Sequence, residues 1–274
     1  MAKLRKQNIF NTTTAAIKFV LFWVMVVVQL PIIFLLPSGS RISVRYMPIF
    51  MWFLVKLAGI KIVVHGKISD NRPLMVVANH ISVFELATFP LAFNGSFIAK
   101  KEMEHWPLVG WVAKKFGVIF VDRRPSHARD ALSVVQKTVQ KVKYPMILFP
   151  EGTTTNGAYV KPFKSSLFNF VENSNVTVQP MAMHYRYKDG SVIDEQTMAD
   201  HFAYFDNKKV DMGPLCKRER SAFGQVFHIM MLGGFMVEIT LLPPPPLEGM
   251  DRKQIADVLQ KQVSEKYMEL KDKK

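Results

Sequence analysis

The architecture of this 274-residue chain is decided by the stretch LMVVANHISVFE at residues 74–85. Its apolar, β-branched run Leu74–Ala78 predicts a buried strand, because the run is short and ends on polar residues. The polar pair that follows, ending in His80, predicts a loop. Ser82 with Glu85 three positions later is typical of a helix start. A buried strand that leads through a short loop into a helix is the unit from which α/β folds are built.

The same alternation continues on both sides of this unit. Six further apolar or β-branched runs predict strands at residues 60–64, 97–99, 118–121, 146–149, 176–183 and 235–242. Helical patterns lie between several of them, most clearly at residues 127–143, where one face carries Leu132, Val135, Val139 and Val142. We therefore predict an α/β fold with a mixed, largely parallel sheet covered by helices.

Charge and cysteine content limit the partners and the chemistry. The chain has 36 Lys and Arg against 22 Asp and Glu, a net charge of +14 at pH 7 that favours anionic partners. Cys216 is the only cysteine, so we expect neither an intrachain disulfide nor a thiolate zinc site. We expect no metal at all, because His105 and His127 show no known ligand spacing.

The first sixty residues predict attachment to a membrane. The run FVLFWVMVVVQLPIIFLL at residues 19–36 is interrupted only by Gln29 and Pro31, and it is just long enough to cross a bilayer core. A second apolar stretch, 47–60, is too short to cross. Because basic residues flank the first segment on both sides, we predict a helical pair that dips into one leaflet, is broken near Pro31 and has both ends in the cytoplasm. The predicted division is a membrane-associated segment, 1–60, and a catalytic domain, 61–274.

His80 and Glu85 are the candidates for acid–base chemistry. Histidine works as a base near neutral pH, and a neighbouring carboxylate fixes its tautomer and stabilises the imidazolium. On a regular helix, side chains five positions apart point about 140° away from each other. The two therefore meet only if His80 lies in the loop and Glu85 in the first helical turn. A second interpretation stays open, a capping box in which Ser82 caps the helix and Glu85 only reaches back to its amide.

Three further strings follow this motif in order. They are GVIFVDR at residues 117–123, FPEGT at 149–153 and VQPM at 178–181. The four blocks together resemble the ordered motifs of the glycerophospholipid acyltransferase family, the lysophosphatidate acyltransferase group, over about residues 74–185. One such block is a weak signal, whereas four in the right order are a strong one.

The resemblance implies acyl transfer to a lipid. His80 would be the general base that takes the proton of a lysolipid hydroxyl, Glu85 would orient it, and the alkoxide would attack a fatty-acyl thioester without a covalent enzyme intermediate. Residues expected to bind the acceptor are Arg123, Glu151, Gly152, Thr153 and Gly117, with Lys100 as a further cation. The donor would be acyl-CoA or an acyl-acyl carrier protein, and no cofactor is implied.

Two positions depart from the family pattern and bear on the acceptor. Glu85 stands where the family usually has Asp, although some bacterial relatives carry Glu. Thr154 stands where members specific for lysophosphatidate often have Arg. Because Arg123 remains, we expect the acceptor to be 1-acyl-sn-glycerol-3-phosphate (lysophosphatidate), which would give phosphatidic acid. The alternatives are a lysophospholipid or lyso-ornithine lipid acceptor, and a catalytically silent, lipid-binding membrane protein.

Two other function classes fit the sequence less well. A lipid hydrolase would need a nucleophile elbow, and the sequence has no Gly-x-Ser-x-Gly. A nucleic-acid partner would explain the positive charge, but the basic residues are spread along the chain and form no recognised binding motif. We expect instead that the chain works at a bilayer, with its catalytic domain on the cytoplasmic face, which in a bacterium means the inner membrane.

Overall fold

The computed structural model describes residues 9–121, 128–172, 174–203 and 222–273. Seven strands lie within them: β1 Lys61–His65, β2 Leu74–Ala78, β3 Ser96–Lys100, β4 Ile119–Val121, β5 Met146–Leu148, β6 Thr177–Arg186 and β7 Met236–Leu241. The α-helices of the same residues are α1 Ile9–Leu35, α2 Arg41–Ala58, α3 Glu85–Ala92, α4 Val109–Lys115, α5 Ala128–Lys141, α6 Glu195–Thr197, α7 Ala222–Leu232 and α8 Arg252–Asp272. Each predicted strand is present, with small shifts at its ends.

The strands form one sheet in the order β1-β7-β6-β2-β5-β3-β4. β2 lies in the middle and pairs in parallel with β5 on one side and β6 on the other. Towards one edge β3 and β4 continue in parallel, whereas β7 is antiparallel to β6, and β1 follows β7. All five residues of β2 are buried, as expected for a strand covered on both faces. The predicted mixed, largely parallel sheet is confirmed.

Two helices follow the predicted patterns. In α5, Val135 and Val139 are buried against the sheet, while the side chain of Leu132 lies outside the described residues. In the C-terminal helix α8, Leu259 and Val263 are fully buried, and a capping box at Asp251 fixes its start. α8 packs along β6, so it covers the strand next to the central one.

The predicted break of the first helix near Pro31 is wrong. α1 runs without interruption through Pro31 to Leu35, because one proline removes only one backbone hydrogen bond and the rest of the helix stays packed. The chain reverses after the helix, where Gly39 takes φ +66° and Ser40 accepts the Ser43 amide at 3.2 Å to start α2. The Lys115 ammonium caps the end of α1 by donating to the carbonyls of Phe34, in its last turn, and Leu36, just after it, each at 2.8 Å.

α1 and α2 pack against each other and against later helices of the chain. α1 also contacts α7 and α4, and α2 contacts α3. The outward face of α1 is apolar: nine large apolar side chains of its described part are exposed, among them Val20, Val24, Val27, Phe34 and Leu35. Within the described residues, one helix is long and apolar enough to cross a membrane, Thr12–Leu35, with a mean hydropathy of 2.4.

The segment 186–232 contains more regular structure than its polar sequence indicated. α7, Ala222–Leu232, is an apolar helix whose buried side chains include Val226, Ile229 and Met230. A π-helical turn, Met198–Phe202, contacts α7. The polar sequence of residues 186–232 predicts a long irregular excursion, and this is wrong for α7, an apolar helix that packs on α1 and α2. Residues 204–221 lie outside the described residues.

Candidate active site

Two of the four sequence motifs meet at one end of the sheet. β2 leads into the loop that carries His80, and β5 leads into the loop that carries Glu151. The two strands are parallel neighbours, so the residues that follow them lie side by side. Open α/β sheets bind ligands outside the carboxyl ends of their strands. This edge is therefore the expected place for a substrate.

His80 and Glu85 lie in the arrangement that lets them meet. His80 stands in the loop after β2, and Glu85 is the first residue of α3. Nδ1 of His80 lies 3.3 Å from Oε2 of Glu85, and the imidazole side chain keeps 20% of its surface exposed. The two atoms are within ion-pair distance, but Nδ1 of His80 is not aligned for a hydrogen bond to the carboxylate in this structure. Contacts between catalytic groups are often long or poorly aligned before substrate binds.

The Glu85 carboxylate is fully buried and heavily hydrogen-bonded. Oε1 accepts the amides of Ile81 at 3.1 Å and Ser82 at 2.8 Å, as well as the Tyr185 hydroxyl at 2.7 Å. Oε2 accepts the Ser82 amide at 3.0 Å and faces His80. Half of the capping-box interpretation is thus present, since Glu85 does reach back to the Ser82 amide. The other half is absent, because the N-cap of α3 is Phe84 and makes no side-chain cap.

Glu151 binds the backbone of the same loop. It is 3% exposed, and its Oε1 accepts the His80 amide at 2.7 Å while Oε2 accepts the Lys161 amide at 2.8 Å. Burial raises the pKa of the Glu151 carboxyl to about 8, although the two amide donors lower it. We predicted that Glu151 binds substrate, but both of its oxygens point to backbone amides and the side chain is not among the described residues that line the cavity.

Further contacts fix the position of His80. Its carbonyl accepts the amide of Thr155 at 2.8 Å and the Thr155 hydroxyl at 3.2 Å. The imidazole stacks on the Phe149 ring, with centroids 4.1 Å apart and planes 15° from parallel. Asn79, the preceding residue, bonds both the amide and the carbonyl of Met183 on β6, at 2.9 and 3.0 Å. The loop is therefore held by β5 and β6 together.

A cavity of about 240 Å³ opens beside the imidazole. Its polar lining consists of His80, Lys100, Gly152, Thr153 and Thr154. The remaining lining is apolar and comes partly from α1 and α2, through Phe22, Met51 and Leu54. A second cavity of about 180 Å³, lined by apolar side chains throughout, shares those three residues and extends towards α4. Together they offer a long apolar space that starts at His80.

The predicted acceptor-binding residues divide into three groups. Lys100, Gly152 and Thr153 line the cavity, and Gly152 takes φ +75°, a conformation that side-chain-bearing residues rarely adopt. Gly117 lies elsewhere, at the turn before β4, where an added Cβ would come 2.6 Å from the Tyr144 hydroxyl. Arg123 lies outside the described residues.

Two residues that contact the His80 loop were missed in the sequence. Thr155 directly follows the FPEGT block and gives no signal beyond its position. Tyr185 lies on β6, beyond VQPM, in a strand that is otherwise mostly apolar. A tyrosine in such a strand indicates that its hydroxyl has a buried partner, but it does not indicate which one. Among the described residues, no group of three or more His, Cys, Asp or Glu could hold a metal ion.

Comparison with known proteins agrees with this geometry. A family model described as Acyltransferase matches residues 61–184. The chain is 30% identical over 244 residues to a lyso-ornithine lipid O-acyltransferase from Pseudomonas aeruginosa, a match that covers 88% of this chain and 84% of that protein. It is also 28% identical to a 1-acyl-sn-glycerol-3-phosphate acyltransferase from Neisseria meningitidis, over 46% of this chain and 50% of that one.

A solved structure shares the fold over almost the whole chain. It is the 1-acyl-sn-glycerophosphate (LPA) acyltransferase from Thermotoga maritima, which is 18% identical. The similarity has a TM-score of 0.65 and covers 96% of this chain and 99% of that one. The chain belongs to the lysophospholipid-type acyltransferase family, and it is an acyltransferase enzyme.

Proposed function

We propose that the chain moves a fatty-acyl group from an acyl thioester to the hydroxyl of a lysolipid, with His80 as the general base and Glu85 as the carboxylate that orients it. The observation that carries this proposal is the pairing of Nδ1 of His80 with the buried Glu85 carboxylate at 3.3 Å, beside a cavity. With Nδ1 turned to the carboxylate, Nε2 is the nitrogen left to accept a proton.

The reaction needs only these groups and the two substrates. Nε2 of His80 takes the hydroxyl proton as the alkoxide oxygen attacks the thioester carbonyl carbon. A tetrahedral intermediate forms, then the carbon–sulfur bond breaks and the thiolate leaves. The imidazolium returns its proton to the thiolate, which restores the neutral base. Glu85 stabilises the imidazolium in between, because the buried negative charge lies directly against Nδ1.

The apolar cavities support a long-chain substrate. Their lining is hydrocarbon from α1, α2, α3 and α4, and only the end next to His80 is polar. An acyl chain in this space would place its reacting end at the imidazole. Because α1 and α2 form part of the wall, the membrane-associated segment would contribute to substrate binding as well as to anchoring.

For the acceptor, we place lyso-ornithine lipid first and 1-acyl-sn-glycerol-3-phosphate second. Thr154 lines the cavity where members specific for lysophosphatidate often have arginine. Within the described lining, Lys100 is the one Lys or Arg, which suits a single carboxylate better than a phosphomonoester of charge about −1.5 to −2. The relative matched over 84% of its own length is named for lyso-ornithine lipid, which also supports this order.

The donor and the location complete the proposal. A net charge of +14 favours a polyanionic donor, which acyl-CoA and an acyl-acyl carrier protein both provide. We place the exposed apolar face of α1 in the bilayer, with the helical pair dipping into the leaflet next to the catalytic domain. Single engineered cysteines before residue 15 and after residue 65, in a Cys216→Ser background, would be labelled from the same side. Labelling from opposite sides would contradict this topology.

The test of the function is a substrate panel. Purified protein in phospholipid vesicles is given labelled acyl-CoA or acyl-acyl carrier protein, together with lyso-ornithine lipid, 1-acyl-sn-glycerol-3-phosphate or a lysophosphodiester. We expect a diacylated product, with lyso-ornithine lipid giving the highest kcat/KM, and heat-inactivated protein serves as the blank. A higher kcat/KM for 1-acyl-sn-glycerol-3-phosphate than for lyso-ornithine lipid would overturn the acceptor assignment. Transfer to none of the panel would overturn the proposed reaction.

A further inference from the structure

We propose that Tyr185 is a positioning residue for the catalytic pair, holding one oxygen of Glu85 so that the other oxygen faces His80. This inference rests on the roles of His80 and Glu85 in the proposed function. Tyr185 belongs to β6, which pairs in parallel with β2, so its side chain reaches the loop that follows β2. Its hydroxyl donates to Oε1 of Glu85 at 2.7 Å across 100 residues of sequence.

The contacts of the two carboxylate oxygens show why another donor is needed. The Ser82 amide lies 2.8 Å from Oε1 and 3.0 Å from Oε2, so it is shared and does not distinguish the two oxygens. The Ile81 amide reaches only Oε1, at 3.1 Å. The Tyr185 hydroxyl makes the shortest contact, and it also falls on Oε1. Oε2 is thereby left to face Nδ1 of His80.

Glutamate has a particular need for such an anchor. Its side chain has one more rotatable bond than that of aspartate, so the loop amides of Ile81 and Ser82 alone would leave its carboxylate more freedom to turn. A donor fixed on the neighbouring strand removes that freedom before substrate binds, which is how a preorganised site lowers the cost of reaching the transition state.

Tyr185 is itself fixed and stays protonated. It is 0% exposed, and the rings of Phe235 and Phe202 pack on it with centroid separations of 4.8 and 6.3 Å. Burial, followed by the negative charge of Glu85, raises the pKa of the Tyr185 phenol well above its ordinary value. The hydroxyl is therefore a donor throughout the pH range in which the enzyme works. Its own ionisation therefore does not shape the pH profile of the enzyme in that range.

The first experiment compares two tyrosines that each lose one buried hydroxyl. Tyr185→Phe keeps the ring and removes the donor to Glu85. Tyr267→Phe is the matched control, because that phenol is also buried and donates to the Gly157 carbonyl instead. We expect Tyr185→Phe to lower kcat by about 10- to 10²-fold with both KM values within about twofold. Tyr267→Phe should lose similar thermal stability and keep its kcat. Equal kcat in the two variants would overturn the proposal.

A double mutant separates positioning from general packing. If Tyr185 acts through the Glu85 carboxylate, Tyr185→Phe should change kcat by less than about twofold in a Glu85→Gln background, because the charge it positions is already gone. A purely structural role would instead multiply the two losses. If His80→Ala and Glu85→Gln both keep wild-type kcat, the proposed function itself fails. If those two are inactive and Tyr185→Phe matches its control, only the role of Tyr185 fails.

A second type of variant covers the case in which Tyr185→Phe does not fold. para-Aminophenylalanine at residue 185 keeps the ring and a donor at the same position, whereas para-methylphenylalanine fills the same space without a donor. If the donor to Glu85 positions the carboxylate, the first variant should keep kcat within about threefold of wild type and the second should lower it at least about 10-fold. Equal kcat in the two variants would contradict the proposal.

Discussion

Two buried glutamates contact His80, one at its side chain and the other at its backbone. Glu85 is 0% exposed and contacts the imidazole, whereas Glu151 is 3% exposed and binds the backbone amides of His80 and Lys161. Burial raises the pKa of the Glu151 carboxyl to about 8, against the two backbone amide donors, which favour its ionised form. Glu85 faces the imidazole that we propose as the base, while Glu151 binds the backbone of the same loop.

The largest expected difference between them is in turnover. Glu85→Gln should lower kcat by at least ~10², because the amide cannot stabilise the imidazolium that forms during the reaction. Glu151→Gln is the matched comparison and should lower kcat only about threefold at pH 7, because its oxygen still accepts one of the two backbone amides while its NH2 group faces the other. Both are measured with saturating donor and acceptor. Similar losses of kcat in the two variants would contradict the different roles given to Glu85 and Glu151.

Removing the whole Glu151 side chain should act on the fold. Glu151→Ala leaves two buried amides without an acceptor, at a cost of about 1–3 kcal/mol each. We expect a clearly lower melting temperature and a kcat about 10-fold lower, because the loop that carries His80 loses its support. A melting temperature equal to that of wild type would show that the loop does not depend on this carboxyl.

The sequence was informative about the sheet and the catalytic pair for a physical reason. Each strand is buried, so apolar runs such as Leu74–Ala78 mark it directly, and the loop–helix position of His80 and Glu85 follows from their spacing. Local sequence does not record contacts between distant loops. The amides bound by Glu151 and the phenol of Tyr185 could be found only once β2, β5 and β6 were placed side by side.

Contacts between distant parts of the chain also explain where the predictions about helices were wrong. Proline indicates a helix end on average, yet α1 continues past Pro31 because its neighbours hold it. α7 was missed because the polar residues before it hid a short apolar helix that packs on α1. The role of Gly117 in acceptor binding stays a prediction; the structure places this residue at the turn before β4, with a positive φ beside Tyr144.

Thr154, on the cavity side of the loop that carries Glu151, should decide which acceptor is used. Thr154 lines the cavity three residues after Glu151 and is 8% exposed. Thr154→Arg adds a guanidinium donor, and a hydrogen bond to a charged group is worth about 1.5–3 kcal/mol. We expect the ratio of kcat/KM for 1-acyl-sn-glycerol-3-phosphate over lyso-ornithine lipid to rise about 10-fold. Thr154→Val is the control, and an unchanged ratio would remove this residue from acceptor selection.

The two glutamates should also differ in how they make stability depend on pH. The unfolded Glu151 carboxyl loses its proton near 4.5 and the folded one near 8. Between these values the folded state binds more protons, so its stability falls as pH rises, by at most about 1.4 kcal/mol per pH unit. Thermal unfolding of wild type and Glu151→Gln from pH 5 to 8 checks this. The gap between the two curves should narrow or reverse as pH rises, and parallel curves would contradict the raised pKa.

The most direct test of the central claim is the single-turnover rate of acyl transfer by His80→Ala, measured in vesicles with donor and acceptor both saturating. If His80 is the base, that rate should fall by at least ~10² while the fraction of protein bound to vesicles stays at the wild-type level. A rate near that of wild type would show that the proton of the acceptor hydroxyl leaves by another route, and the role given to the His80–Glu85 pair would be wrong.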